Sequence, residues 1–103
     1  MKKVYLISVN EYENTYYKIG VSKDVSKRVK NISTGNHLDV QILKEIKSAY
    51  PTKLEKRLHS HFKNKNVKGE WFVLDSADLE AFESICDKYE NVFKILKDNP
   101  FFK

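Results

Sequence analysis

Apolar and polar positions divide the chain into short alternating stretches followed by longer helical repeats. Lys3 to Val9 is β-branched and aromatic, Asn10 to Thr15 is polar and acidic, and Tyr16 to Val21 returns to strand-like residues. This pattern predicts two strands joined by a loop at Asn10–Thr15. Gly20 marks the end of the second strand. Ser22 or Asp24 is placed to cap a helix whose apolar positions, Val25, Val29 and Ile32, follow helical spacing and stop near Thr34-Gly35-Asn36. From Leu38 to Ser48 the alternation Leu38, Val40, Ile42 slips register through Leu43 to Ile46, which predicts a third strand with a bulge. That strand leads out to Tyr50-Pro51.

Thr52-Lys53-Leu54-Glu55 reads as a capping box after the proline, with Leu54, Leu58 and Phe62 as the buried stripe of a second helix. Lys63 to Lys68 is a basic connector ending in Gly69. The apolar Glu70-Trp71-Phe72-Val73-Leu74 either pairs with the sheet or plugs the core. Asp75 or Ser76 then caps a long helix over 76–97. Leu79, Phe82, Ile85, Cys86, Tyr89, Phe93 and Leu96 share one of its faces, and it ends before Pro100. The expected fold is α/β, of the α+β type: a three-stranded, mainly antiparallel sheet flanked by helices, with a long C-terminal helix. One domain over 1–103 fits, its motif-bearing core at 3–74.

Composition narrows the class. A chain of 103 residues, 41% hydrophobic and 32% charged, supports one core and shows no low-complexity segment. Cys86 is the only cysteine, so no internal disulfide forms, and a reducing, cytoplasmic setting is expected. The first apolar run breaks at Ser8 and Asn10-Glu11, too short for a signal-peptide core or a membrane span. No membrane partner is expected.

The net charge of +5 is unevenly spread, with about +8 on residues 1–70 and about −3 on residues 71–103. A basic body suits a phosphate-bearing partner such as DNA, because neutralised phosphates release counterions; the competing reading is an ordinary solvated lysine surface. Only Arg28 and Arg57 are arginines among 19 basic residues. In so lysine-rich a chain, a guanidinium suggests a need for planar, bidentate phosphate recognition. Arg28 stands one helical turn after a glycine-marked strand end, among Lys23, Lys27 and Lys30. Together with Arg57 these form the expected DNA-binding set.

The order Lys3-Val4-Tyr5, Tyr17-Lys18-Ile19-Gly20, Arg28, Glu55 resembles the GIY-YIG nuclease superfamily, with a degraded first triplet and lysine in place of the second tyrosine. Leu58-His59-Ser60-His61-Phe62 and Gly69-Glu70-Trp71-Phe72 extend the resemblance to its small phage-associated branch, the phage T5-type DNA-binding domain, over about residues 3–74. The resemblance implies a GIY-YIG-like sheet and a metal-dependent endonuclease that hydrolyses phosphodiester bonds. In that reading Tyr5, Tyr17, Lys18, Arg28 and His59 belong to the catalytic set, and Glu55 binds one Mg²⁺ or Mn²⁺. Gly20, Trp71 and Phe72 are structural. A phenol titrates near 10 when unperturbed, so Tyr5 needs a neighbouring cation such as Lys18 to act as a base. His59, one turn after Glu55, shares its helical face.

Each role has a structural competitor: Tyr5 as a core aromatic, Glu55 as a capping residue, His59 and His61 as surface histidines, and Glu70 as an ion-pair partner of Arg28 or Arg57 rather than a site residue. The chain also departs from the superfamily pattern. Lys18 replaces a tyrosine, although Tyr16 shares its face by parity; Ile32 stands where a polar group is usual; and no late asparagine is identifiable. These departures bear on turnover more than on DNA binding. Two alternatives follow, a DNA-binding module without catalysis and a small regulatory or protein-interaction factor. The latter would use the last helix as a partner or homodimer surface.

Overall fold

Burial on both faces makes the first strand the centre of the sheet. A computed structural model of the chain describes residues 1–36, 39–97 and 99, the side chains of 34–36 excepted. Strand β1 (Lys3–Glu11) is buried continuously from Val4 to Val9. It pairs antiparallel with β2 (Asn14–Ser22) on one side and, across the helix α1 (Val25–Asn36), with β3 (Asp39–Lys47) on the other. Between these strands Leu6 faces Lys44 while Ile7 faces Ile42, so the bulge expected from the slipped alternation falls at Leu43. Leu38, the expected start of the third strand, and Pro100, the expected stop of the last helix, lie outside the described residues.

The polar stretch at Asn10–Thr15 is not a loop. Both strands run through it, pairing Asn10 with Thr15 and Glu11 with Asn14, and only Tyr12-Glu13 turns. The ladder continues because Thr15 Oγ1 donates to Asn10 Oδ1 at 2.7 Å, so polar side chains satisfy one another across the solvent face. Tyr12 takes the left-handed backbone at φ 56° that so short a connection requires.

The sheet has five strands, not three. After α2 (Pro51–His61) and a short 3₁₀ turn, β4 (Asn66–Lys68) and β5 (Trp71–Phe72) form a small ribbon about Gly69, whose φ is also 56°. The connector read as basic linker therefore supplies a strand, and the apolar segment after it pairs Trp71 with Lys18 and Phe72 with Tyr17. The order is β3-β1-β2-β5-β4.

The capping box expected at Thr52–Glu55 does not form. Pro51 takes the first helical position, Tyr50 is the N-cap, and no side chain caps the helix. A proline has no N–H to satisfy and its φ is already helical, so the helix begins earlier than the Thr52 signal implied. Glu55 is thereby freed for another role. At the last helix the expectation holds: Asp75 caps α3 (Ser76–Leu96) through a reciprocal box with Asp78. Asp24 accepts from Lys27 N at 3.1 Å at the start of α1.

The two faces of the sheet are covered unequally. Val4, Leu6 and Ile19 meet Leu54, Leu58 and Phe62 of the α2 segment, Phe72, and Phe82, Cys86 and Phe93 of α3, in one large cluster. Burying each such side chain contributes about 1.5–3 kcal/mol. Cys86 lies within it, and burial, reinforced by Asp87, Glu83 and Glu90, pushes its thiol up to about 12. Glu90 fastens α3 to the corner before α2, accepting from Ser48 Oγ at 2.6 Å and Ala49 N at 2.8 Å. On the other face α1 contributes Val25 and covers Tyr5 and Ile7, with Val29, Ile32 and Val40 around them.

Candidate metal centre and nucleic-acid interface

Strand β5 is only two residues long, and where it stops β2 runs on alone. Ile19 N donates to Glu70 O at 3.2 Å, the last backbone bond on that side of β2 among the described residues. Gly20 to Ser22 have no strand beyond them among the described residues. This notch in the sheet is where the chemistry-bearing side chains gather.

From α2, Glu55 and His59 project one turn apart toward the notch, and Glu70 enters from the turn before β5. One ligand atom from each of the three lies within 4.8 Å of the others, and all three residues are half-buried. His59 Nε2 donates to Ile19 O at 2.8 Å, and its ring packs edge-on against Phe72 at 5.1 Å. Because a carbonyl only accepts, that bond places the proton on Nε2 and leaves the lone pair on Nδ1, the form in which histidine binds metals. Glu55 titrates above the ordinary carboxylate range. Desolvation is the main cause and the neighbouring Glu70 the next, while His59, Lys18 and Lys56 pull the other way.

Lys18 stands on the opposite face of β2 from the main core, its ammonium 6.0 Å from the Tyr5 ring centroid and 5.9 Å from that of Trp71. Tyr5 is fully buried against Gly20. A Cβ on Gly20 would lie 2.5 Å from Tyr5 Cζ and closer still to its hydroxyl, so glycine is required for the ring to occupy this space. The Tyr5 hydroxyl is the one buried side-chain polar atom among the described residues without a hydrogen-bond partner. Leaving such a group unpaired costs about 1–3 kcal/mol.

The other expected site residues divide. Tyr17 faces the main core, half-buried, on the opposite side of β2 from Lys18. Tyr16 shares the Lys18 face, as parity requires. Arg28, Lys23, Lys27 and Lys30 are exposed on or beside α1, and Arg57 is exposed on α2. Neither arginine pairs with Glu70 among the described residues, so the expected ion pair is replaced by the grouping of Glu70 with Glu55 and His59. The physical reason is the register of β5, which carries Glu70 to Ile19. His61 turns away to Tyr89 Oη at 3.2 Å. Gly20 packs against the Tyr5 ring, and Phe72 lies in the main core. Trp71 is paired into the sheet yet half-exposed, one wall of an open groove.

A family model, the T5orf172 domain, matches residues 2–94. The chain belongs to the T5orf172 domain family. The match takes in every residue of the notch, the five strands and nearly all of α3. T5orf172 is a phage-associated domain family, compatible at a coarse level with nuclease or DNA-binding roles. No curated protein and no solved structure matches the chain. No helix among the described residues is long and apolar enough to cross a membrane.

Proposed function

We propose that the chain is a metal-dependent DNA endonuclease of the GIY-YIG kind, with its centre in the notch beside β2. The observation that carries this reading is the convergence of Glu55, His59 and Glu70. Burial first, and then the nearby Glu70 carboxylate, disfavour the charged form of Glu55, and a divalent cation held between the two carboxylates would relieve both. The donor set fits: carboxylate oxygens suit Mg²⁺, and the added imidazole favours Mn²⁺. Bound there, the cation supplies Lewis-acid polarisation of the scissile phosphate and a more acidic water.

The protein's own groups divide the remaining work. His59 is held in one tautomer by Ile19 O, so its orientation is fixed before substrate arrives. Lys18, standing where the superfamily has a phenol, offers positive charge to the phosphate or to the attacking water. Tyr5 lies beneath Gly20 with no access to solvent and acts as a positioning residue through Lys18 and the backbone of β2. Arg28 and the lysines around it hold the DNA backbone. Arg57 does the same from α2.

A DNA-binding module without turnover is the second reading, favoured by the full burial of Tyr5, which keeps its hydroxyl away from any attacking water. Incubating supercoiled plasmid and branched DNA with Mg²⁺ or Mn²⁺ separates the two. Nicking that requires metal and disappears in Glu55→Ala and Arg28→Ala supports the nuclease. Salt-sensitive binding with no cut product supports the module.

A further inference from the structure

On the α1 side of the sheet lies an open groove of about 340 Å³, one wall of it Trp71, the chain neighbour of Glu70. Its walls include the aromatic rings of Tyr16 and Trp71, with Ile32 and Val67 beside them and Glu11 and Lys68 among the lining residues. The volume lies within the range of small-ligand sites. Neither the metal centre nor the arginines use it. Tyr16 and Trp71 are half-buried, and Val67 is 54% exposed, so apolar surface in this groove faces water among the described residues.

Resting on the nuclease reading, we propose that this groove is a subsite for one unstacked nucleobase of the DNA. Two aromatic walls suit a flat heterocycle, since every base has a face to stack. A phosphate is a poor occupant, because the Glu11 carboxylate would repel it; the same carboxylate accepts a hydrogen bond from an exocyclic amine. Lys68 and Lys18 carry positive charge for the phosphates on either side of the seated base. Lys18 also links the two sites, because its ammonium sits 5.9 Å from the Trp71 ring centroid and the next residue, Ile19, accepts the hydrogen bond from His59. A base held in the groove would hold its strand beside the notch. The substrate class this selects is DNA with unpaired nucleotides: single strands, flaps, branch points or mismatches.

Trp71 is the only tryptophan in the chain, so the intrinsic tryptophan fluorescence comes from a wall of this groove. The wild-type protein, in EDTA to prevent cleavage, is titrated with a single-stranded oligonucleotide, an abasic strand of equal length and charge, and a fully paired duplex. The base-containing strand is expected to quench Trp71 and to bind roughly 10- to 100-fold more tightly than the abasic strand. Tyr16→Ala, checked for an unchanged melting temperature, should remove most of that difference and leave abasic binding unaltered. Equal affinity and equal quenching for the normal and abasic strands would overturn the subsite while leaving the nuclease reading in place. Failure of every strand to bind at low salt would overturn both.

Discussion

The two faces of the sheet do different work. Toward α2 and α3 the sheet is covered by a continuous cluster of leucine and phenylalanine side chains, closed by the Asp75–Asp78 cap and by Lys65, which bonds both of those carboxylates. Toward α1 it is covered by one helix over a cluster of three buried residues, one of them a tyrosine with an unsatisfied hydroxyl, and the face opens into an aromatic groove. The metal-ligand candidates sit at the boundary, on α2 and at the end of β5. Stability is concentrated on the first face, which leaves the second free to keep polar, exposed and imperfectly packed groups.

That contrast can be broken most forcefully from the thick side. Phe82→Ala should cost about 3–5 kcal/mol in urea unfolding, whereas Ile32→Ala on the thin side should cost roughly 1 kcal/mol. Similar losses at the two positions would erase the distinction. At the boundary, Glu55→Ala should lower metal-dependent nicking by on the order of 10³-fold with an unchanged or higher melting temperature, because it removes a charge that the fold tolerates poorly. Loss of folding in that variant would return Glu55 to a structural role.

Tyr5→Phe sharpens the comparison further. Nicking should be unchanged, because the ring that meets Lys18 and Gly20 remains, and the unfolding free energy should hold or rise by about 1 kcal/mol, since a buried hydroxyl without a partner is removed. A fall in stability would place a hidden partner on the hydroxyl. The smallest effect concerns pH. Glu55 titrates higher in the folded chain than in the unfolded one, so the metal-free fold loses stability as pH rises from the ordinary carboxylate value through the raised one, and the penalty is complete above it. Glu55→Gln should flatten that part of the stability profile in EDTA. An identical profile in wild type and variant would show that Glu55 is not the group responsible.

Periodicity carried most of the fold. Helical spacing in Leu54, Leu58 and Phe62 and in Phe82, Cys86 and Phe93 marks buried faces in sequence, and so does the slipped alternation that became the bulge at Leu43. The errors came where a local signal competed with a longer-range one. Thr52 offered a cap, but Pro51 started the helix first. The polar Asn10–Thr15 segment looked like a loop, but cross-strand pairing continued through it. For β4 and β5, two to three residues each, no period can be read at all. Their place in the sheet is set by the turn at Gly69 and by Lys18-Trp71 and Tyr17-Phe72 pairing.

The site was legible in the same uneven way. Glu55 and His59 share a helical face by their spacing of four, which sequence alone supplies. Glu70 joins them only because β5 lies against β2, a contact between residues about fifty apart along the chain that no local pattern encodes. The α3 stripe packs on the chain's own core, and Val92 and Ile95 are its exposed apolar neighbours. The groove beside Trp71 was hidden for the same reason as Glu70: its walls come from β1, β2, α1 and the β4–β5 ribbon.

The most direct test of the notch as a metal centre is electron paramagnetic resonance of Mn²⁺ added to the wild-type chain, to Glu55→Gln and to His59→Gln. One bound Mn²⁺ per chain is expected, with a nitrogen coupling that vanishes in His59→Gln while the ion stays bound more weakly, and with binding largely lost in Glu55→Gln. Absence of bound Mn²⁺ at millimolar concentration, or binding that neither substitution alters, would contradict the account.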